Sequence, residues 1–151
     1  MSIFVDLIDQ YIKADDVFEA EEVAANISQN TNDKRRARDA RARNDQAYFL
    51  YAFTMLEDAI HTAFTTLINN RIGTPWEESR AWTHWDGRTG DRAHLRIKIK
   101  MLLRLQTDCD NVVNFKKERD EIAHGRVWSQ VYVIPRVCTE FEQIIQRFET
   151  T

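Results

Sequence analysis

The apolar residues of this chain recur mostly at three- and four-residue intervals, the period of a helix face. Within residues 2–29, Ile3, Leu7, Ile8, Tyr11 and Ile12, followed by Val17, Phe18, Val23 and Ile27, predict one or two helices. A longer helix follows, capped by Thr31 or Asn32 and running to about Arg71. Its stripe comprises Tyr48, Ala52, Met55, Leu56, Ala59, Ile60, Ala63, Phe64, Leu67 and Ile68, and Gly73 with Pro75 stops it. Residues 74–92, with Trp76, Trp82 and Trp85, read as a loop holding one helical turn. A third helix is expected from about Asp91 to Thr107. Its LRIKIK stretch alternates like a strand, but Leu95, Ile99, Leu102 and Leu103 also share a helical face. Asp110 is the expected N-cap of a fourth helix that Gly125 ends, and residues 126–134 read as an extended connector. Pro135 opens a last helix with Val137, Phe141, Ile144, Ile145 and Phe148 inward. The predicted fold class is all-α, an up-and-down bundle of four to six helices.

Composition supports that class. Only four Gly and two Pro occur in 151 residues, too few for the frequent turns of a β-sandwich. The length suits a single domain, divided here into an acidic helical segment, 1–30, and a bundle, 31–151. Cys109 and Cys138 form no paired spacing, so neither a disulfide scaffold nor a zinc finger is expected. His84 and His94 have no ligand spacing with them, and no metal or other cofactor is predicted. No basic start followed by an apolar run opens the chain, and no stretch reaches membrane-span length, which predicts a cytoplasmic protein without membrane contact.

The net charge of −3 is unevenly spread. Residues 1–30 carry seven acids against Lys13, whereas KRRARDARAR (34–43) carries six bases against Asp39. Arg35, Arg36, Arg38, Arg41 and Arg43 are candidate contacts to RNA phosphates, since a guanidinium binds phosphate bidentately. The alternatives are a solvated helix start or a partner for the acidic segment. Glu57 and His61, four apart beside Asp58, share a helix face and form either a second polar cluster or a solvated one. Trp76, Trp82 and Trp85 either stack bases or cap a core.

The most pointed chemistry lies in KKERDEIAHG, residues 116–125. Positions five apart on a helix sit roughly 140° apart, so Arg119 and His124 do not converge in mid-helix. Gly125 lets the chain leave the helix at His124, and Arg119 is long enough to reach over. The spacing itself is close to what chance supplies in a chain so rich in Arg, and Arg88 with His94 makes a similar pair in a Gly-containing loop. Asp120, the apolar anchor Ile122 and the helix stop set Arg119 and His124 apart. The bland reading is a histidine at a helix end and an Arg119 paired to Glu118 or Asp120.

This segment, Arg119-Asp120-Glu121-Ile122-Ala123-His124-Gly125, resembles the R-x4–6-H signature of HEPN domains, across roughly residues 44–148. The second position of that signature is commonly Asn, Asp or His, which Asp120 matches. The resemblance implies a metal-independent endoribonuclease of toxin–antitoxin, phage-defence or RNA-processing type. His124 would be the acid/base, Arg119 would hold the phosphate, and Asp120 would orient the pair. Lys116, Lys117 and Arg126 would add RNA contacts. It further implies a homodimer with the active site at the interface, and an antitoxin or regulatory protein as a possible partner. Arg126 stands where one branch of the family carries a modifiable Tyr, so pairing with a nucleotidyltransferase-type antitoxin is not expected. Two other readings stay open: a non-catalytic helical module binding RNA or protein, and an antitoxin-like inhibitor using the acidic N-terminus against a basic protein.

Overall fold

The computed structural model describes residues 2–28, 30–125 and 133–150, and every regular element among them is helical. In order they are α1 (Val5–Ile27), α2 (Thr31–Ile72), α3 (Trp76–Ser79), a 3-10 turn (Thr83–Trp85), α4 (Arg88–Asp91), α5 (Leu95–Leu102), α6 (Gln106–Ala123) and α7 (Ile134–Gln146). The predicted all-α class is what the chain adopts. LRIKIK is helical rather than a strand, and Pro135 occupies the first turn of α7. The extended connector expected at 126–134 lies largely outside the described residues.

Four local expectations give way. Asn30, not Thr31 or Asn32, caps α2, because its Oδ1 accepts the Asn32 N–H at 3.0 Å. The single helix expected over 91–107 is two elements. Leu103 is extended (φ −113°, ψ 125°), and the Leu102 carbonyl accepts the Glu149 N–H at 2.8 Å, so α5 stops there. Consequently α6 begins at Gln106, and Asp110 is not its cap; Asp110 sits inside the helix, accepting from the Gln106 side-chain amide at 2.8 Å. The 74–92 stretch holds three short helical turns where one was expected.

The chain folds as two compact units. The first comprises residues 1–53 and 118–142, the second 54–117 and 143–151. The first unit is organised by phenylalanine. Phe141 of α7 meets Phe4, Phe49 and Phe53 at centroid distances of 6.1, 6.4 and 6.1 Å in tilted and edge geometries, and all four rings are buried. Each fully buried ring contributes about 1.5–3 kcal/mol of transfer free energy. Leu7 and Tyr11 extend this core along α1, but the inward face of α1 then becomes charged. Asp15 and Glu22 meet Arg41 of α2, and Val17, Val23 and Ile27 are left exposed. Hydrophobic periodicity over 17–27 therefore does not mark the packed face.

In the second unit Leu56, Ile60, Phe64, Leu67 and Ile68 of α2 are buried, as are Ile99, Leu102, Leu103, Cys109, Val112 and Ile144. Its last residues are tied down by polar contacts. Arg147 forms a fork on Asp108, with Nε to Oδ2 at 2.8 Å and Nη2 to Oδ1 at 2.9 Å, and the Asn70 side chain donates to the Thr150 carbonyl at 2.7 Å. Asp108 is buried, so removing its partner strands a carboxylate. Arg147→Ala is expected to lower stability by about 2 kcal/mol, less than for a wholly buried pair because Arg147 is partly exposed. Urea unfolding checks this; an unchanged midpoint would show the fork to be dispensable.

Candidate active site

The rotation of α6 decides where the candidate residues point. Ile122 is buried, and Arg119, one turn earlier on nearly the same face, is half-buried in the first unit. Its guanidinium lies 5.5 Å from the centroid of the Phe53 ring, and Nη1 is 2.9 Å from Asp120 Oδ1. His124 lies about 160° around the helix from Ile122 and is exposed. The helix ends there as expected. The His124 N–H bonds the Asp120 carbonyl at 3.0 Å, the Gly125 N–H bonds the Ile122 carbonyl at 2.9 Å, and Gly125 takes φ 75°, a conformation that favours glycine. Among the described residues the His124 imidazole makes no hydrogen bond or ion pair. The structure thus brings Asp120 to Arg119 but not to His124, and Arg119 packs on Phe53 instead of reaching over to the imidazole.

Of the proposed RNA contacts, Arg35, Arg36, Arg38 and Arg43 are exposed along the first turns of α2. Arg41 is engaged differently. Its Nε and Nη2 bond both carboxylate oxygens of Asp15 at 2.8 and 2.9 Å, and Nη1 bonds Glu22 at 3.1 Å. The hydrogen bond to Asp15 leads the causes that hold the Arg41 pKa above its ordinary value. The acidic segment therefore takes one arginine of the basic run and leaves four outward. Lys116 is half-buried and Lys117 exposed, both in the second unit. Arg126 lies outside the described residues.

Beside the Arg41 clamp, the Tyr11 hydroxyl donates to Asp45 Oδ1 at 2.9 Å, and its ring meets Tyr48 edge-on at 5.3 Å. Burial, the largest cause, pushes the Asp45 pKa up, with the Tyr11 bond acting against it.

The second unit holds a polar cluster that the helical spacing of Glu57 and His61 only half indicates. His61 Nδ1 lies 2.8 Å from Lys98 Nζ, and His61 Nε2 is 4.0 Å from Asp91 Oδ1. Lys98 is buried beneath the cluster, its Nζ 5.6 Å from the centroid of the Phe64 ring; burial lowers its pKa and Asp91 opposes the shift. The signal for Lys98 is present in LRIKIK: it is three residues from Leu95 and four from Leu102, on the apolar face rather than opposite it. Two tryptophans of this unit make ring contacts. Trp85 meets Phe64 at 6.3 Å, and Arg71 lies over Trp82 at 5.4 Å, while Trp76 stays exposed. Among the described residues no group of three or more His, Cys, Asp or Glu is placed to hold a metal ion, and no helix is long and apolar enough to cross a membrane.

Compared with protein-family models, with curated proteins and with solved structures, the chain gives no match.

The Asp45 environment carries a pH signature. A carboxyl whose folded pKa is raised adds stability at low pH and loses it as pH rises through that value. Asn at this position keeps an acceptor for Tyr11 without the charge. Asp45→Asn is expected to match wild type in thermal midpoint near pH 4 and to exceed it progressively toward pH 7. A deficit at pH 7, or a pH-independent difference, would refute this account.

Proposed function

We propose that this chain is a HEPN-type, metal-independent endoribonuclease that acts as a homodimer. The observation that carries the reading is the end of α6. An exposed imidazole with no hydrogen-bond or ion-pair partner among the described residues stands just past a half-buried Arg119, whose guanidinium Asp120 and Phe53 hold in place. RNA supplies the nucleophile. The 2′ oxygen attacks phosphorus, the P–O5′ bond breaks, and the 2′ proton leaves as the 5′ oxygen gains one. His124 serves as base or acid in that transfer, and Arg119 offsets the charge growing on the phosphoryl oxygens. The products are a 2′,3′-cyclic phosphate and a 5′-OH end. One His124 performs one proton transfer at a time, so a second protomer's copy across a twofold axis would supply the other. Exposed Arg35, Arg36, Arg38 and Arg43 would draw in the RNA backbone. A toxin or defence role in the cytoplasm, restrained by an antitoxin or regulatory protein, follows from the same reading.

A second reading is favoured by the Arg119–Asp120 pair itself, which neutralises the guanidinium as a structural contact would. On that reading the chain is a non-catalytic module that binds RNA through the exposed arginines of α2.

One assay separates them. Purified protein is incubated with labelled RNA in excess chelator, and the ends are identified. The nuclease reading expects cyclic-phosphate ends and a loss of about a hundredfold or more in rate for both His124→Ala and Arg119→Ala. Cleavage that requires added metal or survives His124→Ala would refute it. Salt-sensitive binding without cleavage, unaffected by His124→Ala, would establish the binding module.

A further inference from the structure

We propose that a hollow in the second unit, separate from Arg119 and His124 in its residues, binds a nucleoside phosphate. The hollow has a volume of about 380 Å³ and is lined by Trp85, Arg88, Arg92, Ala93, His94 and Ile97, among others. That volume falls within the range of small-molecule sites.

The local fold explains why these residues meet. Gly87 turns the chain at φ 55°, and α4 packs against the 3-10 turn that ends in Trp85. Gly90 makes that packing possible, because a Cβ there would fall onto the Trp85 carbonyl oxygen. Arg88 and Arg92 are one helical turn apart, and His94 leads into α5 with extended backbone (φ −61°, ψ 145°).

The chemistry is unbalanced. Among the described residues, the Arg88 and Arg92 guanidiniums and the His94 imidazole make no hydrogen bond or ion pair. Elsewhere in this unit, Arg147 is locked on Asp108. The nearby acids do not neutralise the hollow. Asp86 and Asp91 line a neighbouring cavity of about 150 Å³ together with Trp85 and Phe64, and Asp91 faces His61. Two unpaired guanidiniums beside an indole and the apolar Ala93 and Ile97 call for a ligand that is anionic at one end and flat and aromatic at the other. A phosphate engages the guanidiniums bidentately, and a nucleobase stacks on tryptophan. A nucleotide joins these two groups in one small molecule.

The test is calorimetric titration of the full chain at low salt with AMP, adenosine, inorganic phosphate and phenyl phosphate. AMP is expected to bind saturably with Kd below about 1 mM, at least tenfold tighter than adenosine or phosphate alone. The Arg88→Ala/Arg92→Ala double variant is expected to lose at least tenfold in AMP affinity, and Arg104→Ala, at an exposed arginine outside the hollow, to lose none. These guanidiniums make no intramolecular hydrogen bond or ion pair among the described residues, so the double variant should keep the wild-type circular dichroism spectrum and melting point. Gly90→Ala, which disturbs the seat of Trp85, is expected to abolish binding. The proposal is overturned if AMP does not saturate, if inorganic phosphate or phenyl phosphate binds as tightly as AMP, or if the double variant binds AMP as wild type does. None of these outcomes bears on RNA cleavage, so the two readings fail independently.

Discussion

The apolar face of α2 is the constraint from which the rest follows. Phe49, Ala52, Phe53, Leu56, Ile60, Phe64, Leu67 and Ile68 are all essentially excluded from water, at intervals of one, three and four residues. The hydrophobic effect fixes which side of this helix is inward, and that choice sets the surroundings of other functional candidates. Phe53 offers its ring to Arg119, and Phe64 offers one ring to Trp85 and to the Lys98 ammonium. Aromatic side chains suit this double duty, because a ring can be buried among apolar neighbours while its π face attracts a cation.

Charge supplies the second layer of organisation. The first turns of α2 carry six bases between residues 34 and 43, and a helix so charged has no hydrophobic reason to pack. The Asp15–Arg41–Glu22 contacts give it one, through multidentate geometry that a lone surface pair lacks. The acidic N-terminal helix and the basic run are thereby parts of one unit, which a division of the chain at residue 30 does not anticipate. Because a single arginine carries the contact, neighbouring arginines remain available to solvent or to a polyanion.

Much of the fold is legible in the residue pattern alone. The stripe from Ala52 to Ile68, the stops at Gly73 and Gly125, and the inward residues Val137, Phe141 and Ile144 are signalled by period and by chain breakers. Phe49 and Phe53 fall outside a stripe that begins with Tyr48 and Ala52, since those two satisfy the same period one position away. Boundaries set by long-range contacts are illegible. The gap between α5 and α6 involves a carbonyl taken by Glu149, and no local signal in residues 91–107 contains that fact. At the candidate site the residue types and the helix end can be read from the chain. That the Asp120 carboxylate meets Arg119 rather than the His124 imidazole cannot, because the Arg119 guanidinium is seated over the Phe53 ring. Lys98 is the opposite case, a polar residue whose burial is legible from its neighbours, against the general rule that lysine lies at the surface.

The turn from Gly87 to Gly90 bears on how freely this chain can vary. Two of its four glycines are committed there, for unrelated reasons. Gly87 is held by dihedral angles, φ 55° and ψ −126°, with open space around it, whereas Gly90 is held by the nearness of another residue's backbone. A side chain small enough to cure one problem does nothing for the other, so the two positions cannot compensate each other. Four residues that look like an ordinary polar loop thus have less room for substitution than the long charged helix starts, and drift among homologous chains would be expected to leave both glycines in place or to remodel the whole turn at once.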